Sequence, residues 1–466
     1  MTRHQLTLGS LRELGTVGLV AALCGAYAAT LITTSTILTA MSSTEDGGAA
    51  AGVFLSVVAG VFILIALYVG AVVIVNAVDT VVSGRLRHIA LLRLLGASGR
   101  DLRTSVMRGT PSVGVTGAGL GLVVGTGLTH LVRAVLVARG TLPRADYPWF
   151  SGQLLVALAA ISVAATAAGW LGSRVVLGVS PATALAGTMA DRPPRRRASV
   201  LRAAVGAIGI VGGLVVLGLG ALLGESNPGA GFVVAFFGAA GSGTGFLIGA
   251  RFVIPRVVAA ASRLLGRDPA SLVARRNAVL DPLRTTRSTM GLVVGVALVT
   301  TFASGTSALQ HSVAAWELDP ARRAEASQML AVTSTVMICI IVISSVIAAV
   351  GFVSTMSLTV IQRHREIGLL RSLGFTQRQV RTMITKESVA LSASAVAFGI
   401  LLGLVYGSLG AQSLVGSQSP GIVWGLPVTA LVAIAASGVV LVLVASRRPA
   451  RRAVAVAPVE ALRIEG

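Results

Sequence analysis

A chain of 466 residues that is 54% hydrophobic and only 12% charged has too little polar surface to fold as a water-soluble globule. Its net charge of +21 does not make it a nucleic-acid binder, because the basic residues are sorted along the chain by predicted membrane side rather than gathered into one patch. Aromatics are scarce at 4%, and 55 glycines punctuate runs of Ala, Val, Leu and Ile, which excludes the alternating, aromatic-girdled strands of a membrane barrel and favours closely packed helices.

Ten spans are predicted, at roughly 14–40, 51–82, 110–137, 152–176, 201–223, 231–260, 289–309, 330–361, 388–411 and 426–446. The first is too long for a cleavable signal peptide and has no A-x-A-like exit followed by a mature domain. With the N-terminus inside, all of the 38 basic residues except Arg133, Arg139, Arg144, Arg322 and Arg323 fall in inner segments. The expectation is a multi-pass protein of the plasma membrane with both termini cytoplasmic, its basic loops meeting anionic membrane lipids and no nucleic acid.

The second span carries Asp79 near its inner end, the one acid expected at membrane depth, read as a helix-end residue that snorkels or pairs with an arginine, the alternative being a charge that faces an internal cavity. Just beyond it the chain writes Arg87-His-Ile-Ala-Leu-Leu-Arg-Leu-Leu-Gly-Ala-Ser-Gly-Arg-Asp-Leu102, and 278 residues later Arg365-Glu-Ile-Gly-Leu-Leu-Arg-Ser-Leu-Gly-Phe-Thr-Gln-Arg-Gln-Val380. Half of these positions are identical, and the offset persists where Gly121 and Gly125 match Gly399 and Gly403. Similar tails, Ser180–Leu185 and Ala457–Leu462, close the two copies. The predicted fold is therefore an all-α integral membrane protein of about ten transmembrane helices, with two parallel four-helix repeats joined by a central hairpin. The repeats are placed at 1–190 and 266–466, with the linker and hairpin at 191–265. Residues 191–203 form a basic, proline-broken inner linker. The outer segment 310–329, with Trp316 and Arg322-Arg323, is large enough for an interfacial helix and too small for a domain.

Each copy of the repeated segment encodes a sharp turn. Spans two and eight are about 48 Å long at about 1.5 Å per residue, longer than the roughly 30 Å hydrocarbon core, so they are expected to project into the cytoplasm. There Ile89, Leu92 and Leu95, and in the second copy Ile367, Leu370 and Leu373, continue the helical pattern with Arg93 and Arg371 interleaved. Gly96 and Gly374 stand where a helix-ending glycine belongs. Ser98 and Thr376 can then cap a second helix, Thr376 in a capping box with Gln379 and Ser98 with the weaker partner Asp101. Two such elbows in a pseudo-symmetric bundle suit a symmetric cytoplasmic partner.

Arg365-Glu-Ile-Gly-Leu-Leu-Arg-Ser-Leu-Gly374 resembles the signature of FtsX-like (MacB/FtsX-type) permeases of ABC transporters. Pro458–Leu462 is similar to that family's C-terminal tail, and Arg276-Asn277, Asp281-Pro282 and Arg284-Thr285 resemble its entry into the first span of a unit. The resemblance implies a four-span unit whose elbow, with Glu366 beside the residues above, docks on an ABC ATPase. Two fused units would engage an ATPase dimer, as in the ten-span Bce-type permeases but without a large extracellular domain. His88 and Gly109 stand where the second copy has Glu366 and Glu387, which implies weaker coupling by the first elbow.

The chain is not expected to be an enzyme or to carry a cofactor. Its single lysine, Lys386, sits at a span entrance, where it cannot serve a phosphate-binding loop. Gly241-Ser-Gly-Thr-Gly245 lies inside span six with no strand before it and reads as a close helix contact. His4, His88, His130, His311 and His364 form no ligand pair, and Cys24 and Cys339 read as packing residues. The expected function is a permease subunit that couples a partner's ATP hydrolysis to export or extraction of an amphipathic substrate, lipid-like or a peptide antibiotic. The alternatives are a transmitter that relays ATPase state, for example to a sensor kinase, and an ion-coupled transporter.

Overall fold

The computed structural model describes residues 11–42, 49–84, 86–94, 96, 98–140, 148–178, 196–262, 276, 282–315, 371–418, 421 and 423–436. Among them all regular secondary structure is helical: α1 (Leu11–Ser42), α2 (Ala49–Gly84), α3 (Leu86–Leu94), α4 (Gly99–Ala138), α5 (Gly152–Gly178), α6 (Arg196–Gly224), α7 (Pro228–Ser262), α8 (Pro282–Ala315) and α9 (Gln377–Val415), with a further helical stretch at 428–436. Seven of these, α1 and α4 to α9, contain segments long and apolar enough to cross a membrane. The second expected span lies in α2, which has a shorter apolar segment at Ile63–Asp79. The eighth span and the part of the tenth from 437 onward lie outside the described residues.

Small residues decide which helices touch. In α4, Gly117, Gly121 and Gly125 lie against Gly18, Ala22 and Ala26 of α1, and a Cβ on Gly121 would come within 1.9 Å of the Ala22 carbonyl oxygen. Both series advance four residues at a time in the same direction, so the two helices run parallel with their backbones in contact. The second repeat does the same: Gly399, Gly403 and Gly407 of α9 lie against Val296, Thr300 and Ser304 of α8. The central pair is opposite in sense. Gly206 of α6 meets Gly249 of α7, Gly220 meets Ala235 and Gly224 meets Gly231, so one series climbs as the other falls, the signature of an antiparallel hairpin.

Larger side chains then seal the layers. A core of Tyr27, Leu31, Ile74, Leu102, Ile161 and their neighbours joins α1, α2, α4 and α5. A second core, with Val293, Val296, Leu391 and Ile254, joins α7, α8 and α9. Phe246 of α7 stacks on Phe398 of α9 at 4.9 Å, so the hairpin rides on the second repeat. Tyr27 of α1 meets Phe302 of α8 edge-on at 6.5 Å, across the two repeats.

Two local expectations are met at their positions. Gly241–Gly245 is helical, in the middle of α7, with Gly245 pressed on the backbone of Gly209 and Ile210 in α6. Cys24 is buried, with its Sγ turned to the Gly70 carbonyl at 4.0 Å. Among the described residues no three His, Cys, Asp or Glu side chains gather as a metal site.

Candidate functional site

The turn geometry expected at the elbows is present in both copies. Gly96 and Gly374 adopt φ of 91° and 97°, left-handed values that other residues adopt only with strain. Their amides close the preceding helices, Gly96 N–H donating to the Arg93 carbonyl at 3.2 Å and Gly374 N–H to that of Arg371 at 3.1 Å. Two residues on, Ser98 and Thr376 cap α4 and α9 with matching extended backbones. At Thr376 the box is reciprocal: the Gln379 amide donates to Thr376 Oγ1 at 3.2 Å, and the Thr376 amide donates to Gln379 Oε1 at 2.9 Å. Asp101 is one methylene shorter. Its amide donates to Ser98 Oγ at 3.1 Å, while its carboxylate accepts from the Ser98 hydroxyl at 2.6 Å instead of reaching back to the backbone.

The helix that each cap starts is far longer than the elbow itself. α4 has 40 residues and α9 has 39, so each runs for about 60 Å and on through the predicted span. Leu102 and Val380, which occupy equivalent places four residues past the caps, are both buried and anchor the start of each helix. Before the first elbow α2 ends at Gly84, and the short α3 carries the motif.

The motif's apolar residues divide in a way that periodicity alone does not show. Ile89 is 1% exposed and belongs to the core with Leu102, and Leu92 is half-buried against the same core. Leu91 and Leu94, which periodicity did not single out, are 48% and 41% exposed. In the second copy Leu373 is 71% exposed, Arg371 is half-buried and Glu387 is buried in α9. Leu95, Glu366, Ile367 and Leu370 lie outside the described residues. The side chain of His88 is likewise outside them.

A second feature was not anticipated. A cavity of about 250 Å³ opens between α2, α6, α7, α8 and α9. Tyr68 of α2 and Tyr406 of α9 line it and send their hydroxyls to neighbouring turns of α7. Tyr68 donates to the Ala240 carbonyl at 3.0 Å, and Tyr406 donates to Ser242 Oγ at 3.0 Å. Gly243 makes room for the first of these, since a Cβ there would lie 2.8 Å from the Tyr68 hydroxyl. The Gly-Ser-Gly-Thr-Gly run of α7 was the available sequence signal, a polar notch in an apolar span, but nothing local indicated that tyrosines from both repeats would fill it.

Two elbows of one geometry, each opening a long helix that packs through glycines on the first helix of its own repeat, define a duplicated helical membrane protein. The description "FtsX-like permease C-terminal" matches residues 60–181 and 338–453, stretches whose starting points are 278 residues apart. The chain belongs to this family of ABC transporter permeases. It is also 30% identical over 138 residues to the "Uncharacterized ABC transporter permease YknZ" of Bacillus subtilis (strain 168), a match covering 30% of this chain and 33% of that relative. The match thus spans about a third of that protein's length.

Proposed function

We propose that the chain is the transmembrane subunit of an ABC transporter of the plasma membrane, coupling ATP hydrolysis in a separate ATPase dimer to export or extraction of an amphipathic substrate. The observation that carries this reading is the repeated elbow: the same glycine and cap geometry at Gly96–Ser98 and Gly374–Thr376, inside the two stretches that match the permease family. A docking element must hold its shape against a moving partner. A left-handed glycine and a capped helix start supply a rigid corner, and the exposed Leu91, Leu94 and Leu373 supply apolar surface for a groove on the ATPase. Both elbows and both termini then face the cytoplasm, in keeping with the distribution of the basic residues.

The test is co-purification with the ATPase and stimulated hydrolysis in membranes. The variants are Leu91→Asp/Leu94→Asp for the first elbow and Leu370→Asp/Leu373→Asp for the second. Both are expected to reach the membrane at normal levels and to lose the complex or its stimulated activity. The second elbow should be the more sensitive, because only it carries Glu366. Normal coupling in both double variants would reject the docking role.

A further inference from the structure

The cavity between the repeats has a wall chemistry that selects its occupant. It is long and narrow: on α8 the lining runs from Val293 to Leu309, about 24 Å at about 1.5 Å per residue, and on α2 from Val61 to Val72. Four of the described lining residues carry hydroxyls, and all four are already engaged. Tyr68 and Tyr406 donate to α7, while Thr301 and Thr306 donate to the Ala297 and Phe302 carbonyls of their own helix, each at 2.7 Å. The rest of the described wall is carbon, with Phe232, Phe236, Leu298 and Leu402 among it. Water needs two to four polar partners to reside in a cavity, and the described wall offers no unspent donor, only the remaining lone pairs of those four hydroxyls. An empty slot of this volume would forfeit dispersion contacts on the slot-facing side of its lining residues. Within a bilayer the abundant species that meets both conditions is hydrocarbon.

We propose that this slot is a binding site for a single hydrocarbon chain, the acyl tail of a bilayer lipid or of a single-chain amphiphile. The chain contacts α2 of the first repeat, α8 and α9 of the second and the hairpin between them, so it fills the seam along which the repeats meet. Two lining glycines mark where the space lies. A Cβ on Gly410 meets nothing within 4 Å, and one on Gly305 meets only Gly407 of α9, at 3.5 Å and beyond. The inference goes beyond the transport reading, because it requires no ATPase and no turnover.

The test uses the full chain in phosphatidylcholine vesicles, a fraction of the lipid carrying a diazirine midway along one acyl chain. After irradiation the adducts are mapped by mass spectrometry. A parallel arm uses diazirine-labelled lysophosphatidylcholine. Adducts are expected on Leu298 and Leu402, with Val123 and Val124 of α4, 73% and 64% exposed, as the lipid-facing reference in the same sample. Gly410→Leu, and independently Gly305→Leu, should lower the Leu298 and Leu402 adducts by roughly ten-fold, because a filled slot has no room for a chain. The Val123 and Val124 adducts should stay unchanged, showing that the variant is folded and inserted. Labelling by both reagents assigns the slot to bilayer lipid, and labelling by the lysolipid alone assigns it to a single-chain ligand. Slot residues unlabelled in both arms while Val123 is labelled, or labelling that survives both filling variants, would overturn the proposal.

Discussion

Tyr406 of α9 donates its hydroxyl to Ser242 of α7 across 3.0 Å, within one turn of the Ala240 carbonyl that Tyr68 of α2 binds. The hairpin is thus latched from both repeats through one short stretch of α7. A hydroxyl donor in an apolar membrane interior gains little over its alternatives, on average about 0.6 kcal/mol. Tyr68→Phe and Tyr406→Phe should therefore each lower thermal stability in detergent slightly, by about 0.6–1 kcal/mol. Gly243→Ala should break the Tyr68 hydrogen bond, because its Cβ would lie 2.8 Å from that hydroxyl and displace it, a loss that the higher helix propensity of alanine offsets. Unchanged melting temperatures in both tyrosine-to-phenylalanine variants would show that the latch adds nothing to stability.

The parallel glycine seams set a sharper expectation. At Gly121 an added Cβ would meet backbone, the Ala22 carbonyl at 1.9 Å, whereas at Gly403 the nearest atom is the Thr300 Cβ at 2.4 Å. Gly121→Ala must push two backbones apart and should cost at least the roughly 1–3 kcal/mol of an overpacked core. Gly127 of the same helix has open space around its Cβ position, so Gly127→Ala should be neutral or slightly stabilising. Yield of monodisperse protein and its melting temperature would rank these variants.

At the elbows the strain is conformational rather than steric, since nothing lies within 4 Å of a Cβ at Gly96 or Gly374. Gly374→Ala should destabilise the turn by about 1–2 kcal/mol through its left-handed backbone alone. Thr376→Ala removes the cap of α9 and should cost about 1 kcal/mol, while Thr376→Ser should restore most of it. Hydrogen exchange at the amides of Gln379 and Val380 is the direct readout, with faster exchange expected in Thr376→Ala. Unchanged exchange would mean that the cap does not hold the helix start.

Orientation can be read by labelling in a chain whose Cys24 and Cys339 are replaced by alanine. Cysteines at Ser226 and Ser417, both exposed, should react with a membrane-impermeant maleimide added to intact cells. A cysteine at Ser372, exposed at the second elbow, should react only after the cells are opened. The reverse pattern would place the elbows outside and remove the ATPase from consideration.

Ile89 and Leu94 separate folding from docking within a single helix. Ile89→Asp puts an uncompensated charge into the core and should abolish stable protein, whereas Leu94→Asp, at an exposed position, should leave stability within about 0.5 kcal/mol. The comparison needs only expression level and a melting curve, and it calibrates the ATPase-coupling test.

The parts of this protein legible in its sequence are those whose physics is local or collective. Membrane insertion follows from composition, because any run of about twenty apolar residues partitions into lipid whatever its neighbours. The elbows follow from a few adjacent residues: a glycine that tolerates positive φ, and a Ser or Thr whose oxygen reaches an amide three positions on. Glycines spaced four apart at 117, 121 and 125 announce a close contact, yet they do not name α1 as the helix contacted. That choice, the tyrosine latch and the cavity were decided only by tertiary structure. In water, burial sorts residues by polarity, so a pattern of apolar positions reveals the inward face. In a bilayer both faces of a helix are apolar, and Val123, 73% exposed, is as hydrophobic as the fully buried Leu217. Shape complementarity between segments far apart in the chain does the sorting instead, and small residues at helical spacing mark that a contact exists without naming its partner.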